Sequence, residues 1–258
     1  TPLPPRLDAG GGGTPVPGSD AGADATPADS GGGDADAGDA CAAALAAVTF
    51  DFEAGAQGWT HAISDGATGS WPFDPWSHGT ATNGSACPSG KCFGAELTQN
   101  YAQCQRGHLL SPSIDLGACA GRTVALVFRH AYSFWTGTYG GQTWSDGGVV
   151  EVSGDDGATW LLAQGSYPGT VKVNPNQGAS YACVLSTSFG VHNKSGFVGV
   201  QAAPVTAELT LPAAVVTDKV RVRFSFGSGV SSQTTNANTS RAATAFGWRV
   251  DDVGFALR

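Results

Sequence analysis

From residue 48 onward, apolar and polar residues alternate as they do in β-strands. The clearest stretch is residues 219–226, in which every second side chain is apolar and the others are polar or charged. Such alternation places one face of a strand in the core and the other in water. Residues 122–132 have small or apolar side chains on both faces, which predicts a central strand. Successive strands separated by turn signals predict an all-β fold, an antiparallel β-sandwich of the jelly-roll type.

The last strand contains a slip in this alternation. The apolar residues share one parity up to Val250 and the other parity from Val253 onward. Because a shift of one residue turns every side chain to the opposite face, an inserted residue is needed to return the apolar face to the core. We therefore predict a β-bulge at Asp251 and Asp252, which would hold two carboxylates at a fixed point on the strand.

Residues 1–40 have a different composition from the rest of the chain. They contain no aromatic residue and consist mainly of Gly, Ala, Asp, Pro, Ser and Thr, so they cannot bury a core. We predict a disordered linker over residues 1–40 and one β-sandwich domain over residues 41–258. Such a segment resembles the spacer behind the lipidated cysteine of bacterial surface lipoproteins, so a lipid anchor upstream of residue 1 is an open expectation.

The linker also accounts for most of the net charge of −8, because it holds seven of the acidic residues. The domain itself is nearly neutral and has no cluster of Lys or Arg of the kind that nucleic-acid binding requires. The sequence has no apolar run of 18 residues, so we expect no membrane-spanning segment.

Six cysteines are present, an even number that fits three disulfides. Zinc is the alternative, but Cys87 and Cys92 stand without a second closely spaced pair of Cys or His residues. Disulfides imply an oxidising compartment, so we expect an extracellular or cell-surface location. Spacing alone favours Cys87 with Cys92; the remaining preferred pairs are Cys104 with Cys119 and Cys41 with Cys183.

The two ends of the domain each carry acidic residues beside apolar ones. Asp51 and Glu53 alternate with Phe50 and Phe52, so both carboxylates are expected to point away from the core. If the terminal strands are neighbours, these carboxylates would meet Asp251 and Asp252. Oxygen ligands of this kind suit calcium, and we expect a structural role for it. The alternatives are ordinary surface acids and a salt bridge to Arg249.

Residues 153–160 match the Asp-box pattern Ser-x-Asp-x-Gly-x-Thr-Trp. The pattern predicts a β-hairpin in which Asp155 accepts local backbone hydrogen bonds, Gly157 supplies a positive φ and Trp160 packs beneath the turn. Sialidase propellers carry several copies, whereas the sequence holds one, which argues against a glycosidase propeller.

Several segments together resemble the MAM-like jelly-roll domain that is appended to secreted bacterial metalloproteases of the immune inhibitor A type. The resemblance covers residues 48–257 and rests on Phe52-Glu53 with Gly58-Trp59, residues 110–116, residues 124–132, residues 147–153 and the closing residues 247–253. It implies a non-catalytic adhesion, binding or accessory module that is often stabilised by calcium. The protease domain itself is not expected, since no His-Glu-x-x-His motif occurs.

Two aromatic stretches predict a ligand-binding surface, because flat rings among small polar residues can stack on sugar faces. The partner we expect is an extracellular glycan or, as an alternative, a surface protein. The candidate ligand-binding residues are Trp71, Trp76, Tyr132, Trp135, Tyr139 and Trp144. The other interpretation of these rings is that they fold beneath their own loops as small satellite cores.

Two other classes of function remain open. A carbohydrate-active enzyme needs facing carboxylates, for which Glu96, Glu151 and Glu208 are the candidates. No histidine cluster or Gly-x-Ser-x-Gly motif supports catalysis of another kind. A structural component of an extracellular assembly, whose loops contact neighbouring copies, is the third class.

Overall fold

The computed structural model describes residues 33–63, 74–174, 190–229 and 245–258. One α-helix and two short 3₁₀ helices accompany the strands in this part of the chain. The helices are α1 (Gly33–Ala46) and the 3₁₀ turns Gly117–Cys119 and Ala213–Val215. The strands are β1 (Thr49–Phe50), β2 (Thr60–Ala62), β3 (Trp76–Gly79), β4 (Cys92–Ala95), β5 (Arg106–Leu110), β6 (Val124–Ser133), β7 (Thr136–Tyr139), β8 (Gln142–Ser145), β9 (Gly147–Ser153), β10 (Leu161–Leu162), β11 (Gly169–Thr170), β12 (Ser195–Val198), β13 (Val200–Thr210), β14 (Arg221–Gly227) and β15 (Gly247–Leu257).

Two antiparallel sheets form a β-sandwich, which confirms the predicted fold class. The first sheet has the order β13-β6-β15-β4-β3, with β1 added beside β15. The second has the order β11-β12-β9-β14-β5-β2, with β10 added beside β9. From β4 to β15 the long strands cross repeatedly from one sheet to the other, as in a jelly roll. No helix in the described ranges is long and apolar enough to span a membrane.

Aromatic rings fill the space between the sheets. Trp248, near the start of β15, is fully buried and contacts Phe224 of the opposite sheet at 5.6 Å between ring centroids. Phe128 on β6 contacts Phe224 at 5.0 Å, edge to face, a geometry that aromatic pairs favour. The alternation in residues 219–226 is confirmed, because β14 buries Val222, Phe224 and Phe226 on its inner face.

The predicted β-bulge is confirmed in β15. The register against β6 shifts between Asp251 and Gly254, and Asp252 takes a left-handed φ of 48°. The predicted central position of residues 122–132 is also confirmed, since β6 pairs with β13 on one side and β15 on the other. The first and last strands lie side by side, with Thr49 opposite Gly254.

The disulfide prediction is correct for one pair and wrong for the other two. Cys87 is bonded to Cys92, but Cys41 is bonded to Cys119, which excludes both Cys104 with Cys119 and Cys41 with Cys183. The reason is that α1 packs against the 3₁₀ turn Gly117–Cys119 and brings the two Cα atoms to 4.7 Å. Cys104 is also in a disulfide, whose partner lies outside the described residues, as does Cys183.

The helix α1 begins within the segment predicted as a linker. Residues 33–40 were assigned to the disordered linker, yet they form the first part of α1. Cys41 and Leu45 on the same helix are buried in the core. The Gly-Ala-Asp composition of residues 33–40 did not indicate a helix, and the boundary between linker and domain stays a prediction.

Candidate functional site

The predicted ligand residues separate into buried and half-exposed groups. Trp76 is buried, donates its indole N–H to the carbonyl of Gly107 at 3.2 Å and lies 5.9 Å from the ring of Trp248. It is a core residue, so its placement does not support a ligand role. Tyr132 is mostly buried and lines a groove at one edge of the sandwich. Trp71 lies outside the described residues.

Trp135 and Trp144 lie on the same face of the β7–β8 hairpin. Trp144 is directly opposite Gly137, and the ring of Trp135 covers Gly137, where a Cβ atom would meet it at 2.4 Å. The absence of a side chain at Gly137 thus leaves room for the Trp135 indole on this face of the hairpin. Both indoles are half-buried, so each also presents part of its surface to solvent. Tyr139 ends β7, but its side chain lies outside what the structure describes.

The base of this hairpin is held by a buried Tyr–Asp pair. The backbone N–H of Trp135 donates to the Tyr101 hydroxyl at 2.7 Å, and that hydroxyl donates to Asp146 Oδ2 at 2.7 Å. The other oxygen of Asp146 accepts the N–H of Gly229 at 2.7 Å. The aromatic face therefore stands on a fixed support rather than on a loose loop.

Asp146 is almost completely buried in this arrangement. Burial raises its pKa to about 7, although the hydrogen bonds from Gly229 and Tyr101 act in the opposite direction. Burial and the nearby Asp146 carboxylate raise the pKa of Tyr101 well above its ordinary value. No local pattern indicates this pair, because Tyr101 and Asp146 are 45 residues apart in the chain.

The four predicted calcium ligands bind protein groups instead of converging on one point. Asp51 accepts hydrogen bonds from the N–H of Glu53 at 3.2 Å and from Gln57 Nε2 at 3.0 Å. Asp252 pairs with Arg129 at 3.1 Å. In the described ranges, no group of three or more His, Cys, Asp or Glu side chains is placed to hold a metal ion. The residues as placed do not fit a calcium ion, and calcium binding stays an untested prediction.

Glu53 and Asp251 bind the loop closed by the Cys87–Cys92 disulfide. Glu53 accepts the N–H of Lys91 at 3.1 Å, and Asp251 accepts both the N–H and the hydroxyl of Ser89 at 2.9 and 2.8 Å. Burial raises the pKa of Asp251 to about 6, while the bonds from Ser89 lower it. Both ends of the domain do meet at this point, but N–H and O–H donors of a loop satisfy their carboxylates.

Arg249 does not pair with these acids. It is fully buried, and its guanidinium donates to the backbone carbonyls of Phe246 at 3.0 Å, Asn83 at 3.1 Å and Ala95 at 3.2 Å. Burial lowers its pKa to about 10. The alternative that the terminal acids form a salt bridge with Arg249 is therefore not seen.

The Asp-box hairpin has the predicted geometry. Asp155 accepts the N–H of Thr159 at 2.8 Å, and Ser153 Oγ accepts the N–H of Gly157 at 2.8 Å, with φ of Gly157 at 95°. Hydrogen bonds from Ser153 and Thr159 lower the pKa of Asp155 to about 2. Trp160 lies beneath the turn, and the guanidinium of Arg223 stacks on its ring at 4.2 Å.

The enzyme hypothesis gains no support from the candidate carboxylates. Glu151 is buried between Lys194 at 2.5 Å and Arg223 at 2.7 Å, so its nearest charged partners are cations. Burial alone would raise its pKa, but the two cations outweigh that effect and lower it. A general acid needs a raised pKa. Glu96 accepts hydrogen bonds from Gln99 and Gln105, and Glu208 forms an ion pair with Arg258.

Comparison with known proteins gives no family and no relative. No protein-family model matches the chain, and no curated protein is significantly similar to it. The resemblance to the MAM-like domain stays a prediction, and the function has to be argued from the arrangement of the side chains.

Proposed function

We propose that the domain is an extracellular, non-catalytic carbohydrate-binding module whose contact surface is the aromatic face of the β7–β8 hairpin. The observation that carries this proposal is the placement of Trp135 and Trp144, two half-exposed indoles on one face of one hairpin. An indole presents a flat apolar surface to the C–H face of a sugar ring, while its N–H and the neighbouring backbone offer hydrogen bonds.

The support beneath the hairpin favours binding. A contact surface that is already ordered loses less conformational entropy when a ligand binds. The bonds from Trp135 N–H to Tyr101, and from Tyr101 and Gly229 to Asp146, fix the first strand of the hairpin to the sandwich. The two indoles therefore need little rearrangement to meet a glycan.

The cysteines support an extracellular location. The Cys41–Cys119 and Cys87–Cys92 bonds are formed, Cys104 is also disulfide-bonded, and no free thiol is found in the part of the chain that the structure describes. Such use of cysteine is typical of secreted and surface proteins. A bacterial cell surface is the location we propose, with the segment before α1 as a tether.

Replacing the two indoles tests the proposal. The Trp135→Ala and Trp144→Ala variants should each lose at least tenfold in affinity for the retained glycan on a glycan array or in affinity electrophoresis, because each removes one stacking surface. About 1.4 kcal/mol corresponds to a tenfold change.

The matched controls are Thr138→Ala and Thr143→Ala, which alter exposed residues that pair with each other in the same hairpin. We expect wild-type retention from both. Glycan retention that survives loss of both indoles would contradict the proposal, and capture of a protein ligand by the same face would replace a glycan with a protein partner.

A further inference from the structure

A groove opens between the two sheets at the edge formed by β12 and β13. Its volume is about 470 Å³, within the range of ~300–1,000 Å³ that is usual for small-molecule sites. The lining includes His130 and Tyr132 from β6, Tyr167, Phe197 from β12, and Val205 and Leu209 from β13. This groove lies between the sheets, whereas Trp135 and Trp144 belong to the separate β7–β8 hairpin.

Aromatic rings form the apolar wall of the groove. Phe197 lies 5.2 Å from Tyr167 and 5.7 Å from Tyr132, measured between ring centroids. The hydroxyl of Tyr167 donates to the carbonyl of Ala163 at 2.8 Å, which fixes the position of that ring. Rings held in this way give a flat surface at no further entropic cost.

His130 places an unused donor in this wall. The residue is only 2% exposed, and its Nδ1 is 3.2 Å from the indole N–H of Trp248. An indole N–H can only donate, so Nδ1 accepts and the imidazole proton is on Nε2. Burial lowers the pKa of His130 to about 4, so the ring is neutral at physiological pH.

The hydrogen bond of His130 among the described residues is the one at Nδ1, which leaves the Nε2 proton for a group in the groove. The charged residue that lines the groove, Glu208, is paired with Arg258. The groove therefore offers apolar rings and a neutral donor rather than a free charge.

We propose that this groove binds one neutral pyranose unit, whose apolar ring face packs against the aromatic wall and whose oxygen accepts the Nε2–H of His130. This inference rests on the proposed carbohydrate-binding function and adds a second subsite to it. Charged sugars are excluded, because no unpaired charge among the described lining residues would compensate for the loss of their hydration.

The test uses the full chain with single neutral sugars, namely glucose, galactose, mannose, xylose and N-acetylglucosamine, followed by saturation-transfer and ¹⁵N NMR. We expect at least one of these sugars to bind and to shift the Nε2 resonance of His130. His130→Phe, which keeps a ring but removes the donor, should weaken that binding at least tenfold. Glucuronate and glucosamine should not bind at the groove.

A blocking variant keeps the proposal testable if His130→Phe disturbs the core. Val205 is 37% exposed and lines the groove, whereas Val200 on the same strand is 68% exposed and does not line it. Val205→Trp should abolish binding of the neutral sugar, and Val200→Trp should leave it unchanged. Trp135→Ala and Trp144→Ala should leave it unchanged as well.

The outcomes separate this inference from the proposed function. No binding by any neutral sugar, or binding that Val205→Trp does not change, would overturn the groove subsite. Sugar-induced shifts confined to the hairpin would also overturn it, while leaving the proposed function in place. Groove binding together with undiminished glycan retention by the two tryptophan variants would support the subsite and refute the proposed function.

Discussion

Asp146 shows how one buried carboxyl can affect both stability and the candidate site. It lies beneath the β7–β8 hairpin, where Tyr101 and Gly229 donate to its two oxygens. Its pKa of about 7 in the folded protein is well above its ordinary value of 3.8. Between these two values the folded protein keeps a proton that the unfolded chain has lost, so the contribution of Asp146 to stability falls as the pH rises.

Asp146→Asn should remove this dependence on pH. In the wild-type protein, the titration of Asp146 should make the free energy of unfolding fall by about 1.4 kcal/mol for each unit of increase in pH between about pH 4 and pH 7. His130 acts in the opposite sense, because its pKa of about 4 lies below its ordinary value of 6.5 and stability rises with pH between them. The difference between the urea-unfolding profiles of the two proteins isolates Asp146.

Asp156→Asn is the control for this experiment. Asp156 is exposed, and its hydrogen bond with Arg221 lowers its pKa below the ordinary value. Asp156 therefore titrates below the pH range in which Asp146 acts. We expect the slope of the free energy of unfolding against pH to stay at its wild-type value between pH 4.5 and pH 7. Equal slopes for the wild type and Asp146→Asn would show that Asp146 titrates normally.

At the scale of elements, two disulfides fix different parts of the sandwich. The Cys41–Cys119 bond joins α1 to the 3₁₀ turn before β6 and closes a sequence separation of 78. The Cys87–Cys92 bond closes a separation of 5, in the loop that Glu53 and Asp251 bind. A cross-link restricts the unfolded chain more when it closes a longer loop.

We expect the two disulfides to differ in their effect on stability. Replacing Cys41 and Cys119 together by Ala should lower the free energy of unfolding by about 4.5 kcal/mol, by the loop-entropy relation. The matched Cys87→Ala, Cys92→Ala double variant should lose about 2 kcal/mol by the same relation. Guanidinium unfolding of the oxidised proteins measures both values, and equal losses would contradict this explanation.

The elements that could be predicted from the sequence depend on local alternation. The change of parity between Val250 and Val253 predicted the bulge, because without an inserted residue the apolar side chains after Val250 would point away from the core. The pairing of Cys41 with Cys119 could not be predicted, since it depends on where α1 docks. Trp76 and Trp144 occur in similar aromatic stretches, and only the packing of the whole sandwich decides that one is buried and the other half-exposed.

At the scale of the whole molecule, acidic residues from both ends of the domain hold the two ends together by hydrogen bonds to one shared loop. The terminal strands β1 and β15 are neighbours, as the sequence predicted, and the loop between Cys87 and Cys92 binds an acid from each end. The sequence could predict that acids meet here, but not that loop N–H groups would be their partners. Those donors come from a segment that carries no periodic pattern.

The Cys41–Cys119 bond has a mechanical consequence. Strands β1 to β5 lie between the two cysteines in the chain, so a load applied through the segment before α1 passes through the sulfur bridge to Cys119 and reaches the central strand β6. The short pairing of β1 with β15 is shielded from that load. In single-molecule stretching, adding a reductant should therefore increase the contour length that is released when the domain unfolds. It should also lower the force at which β1 separates from β15.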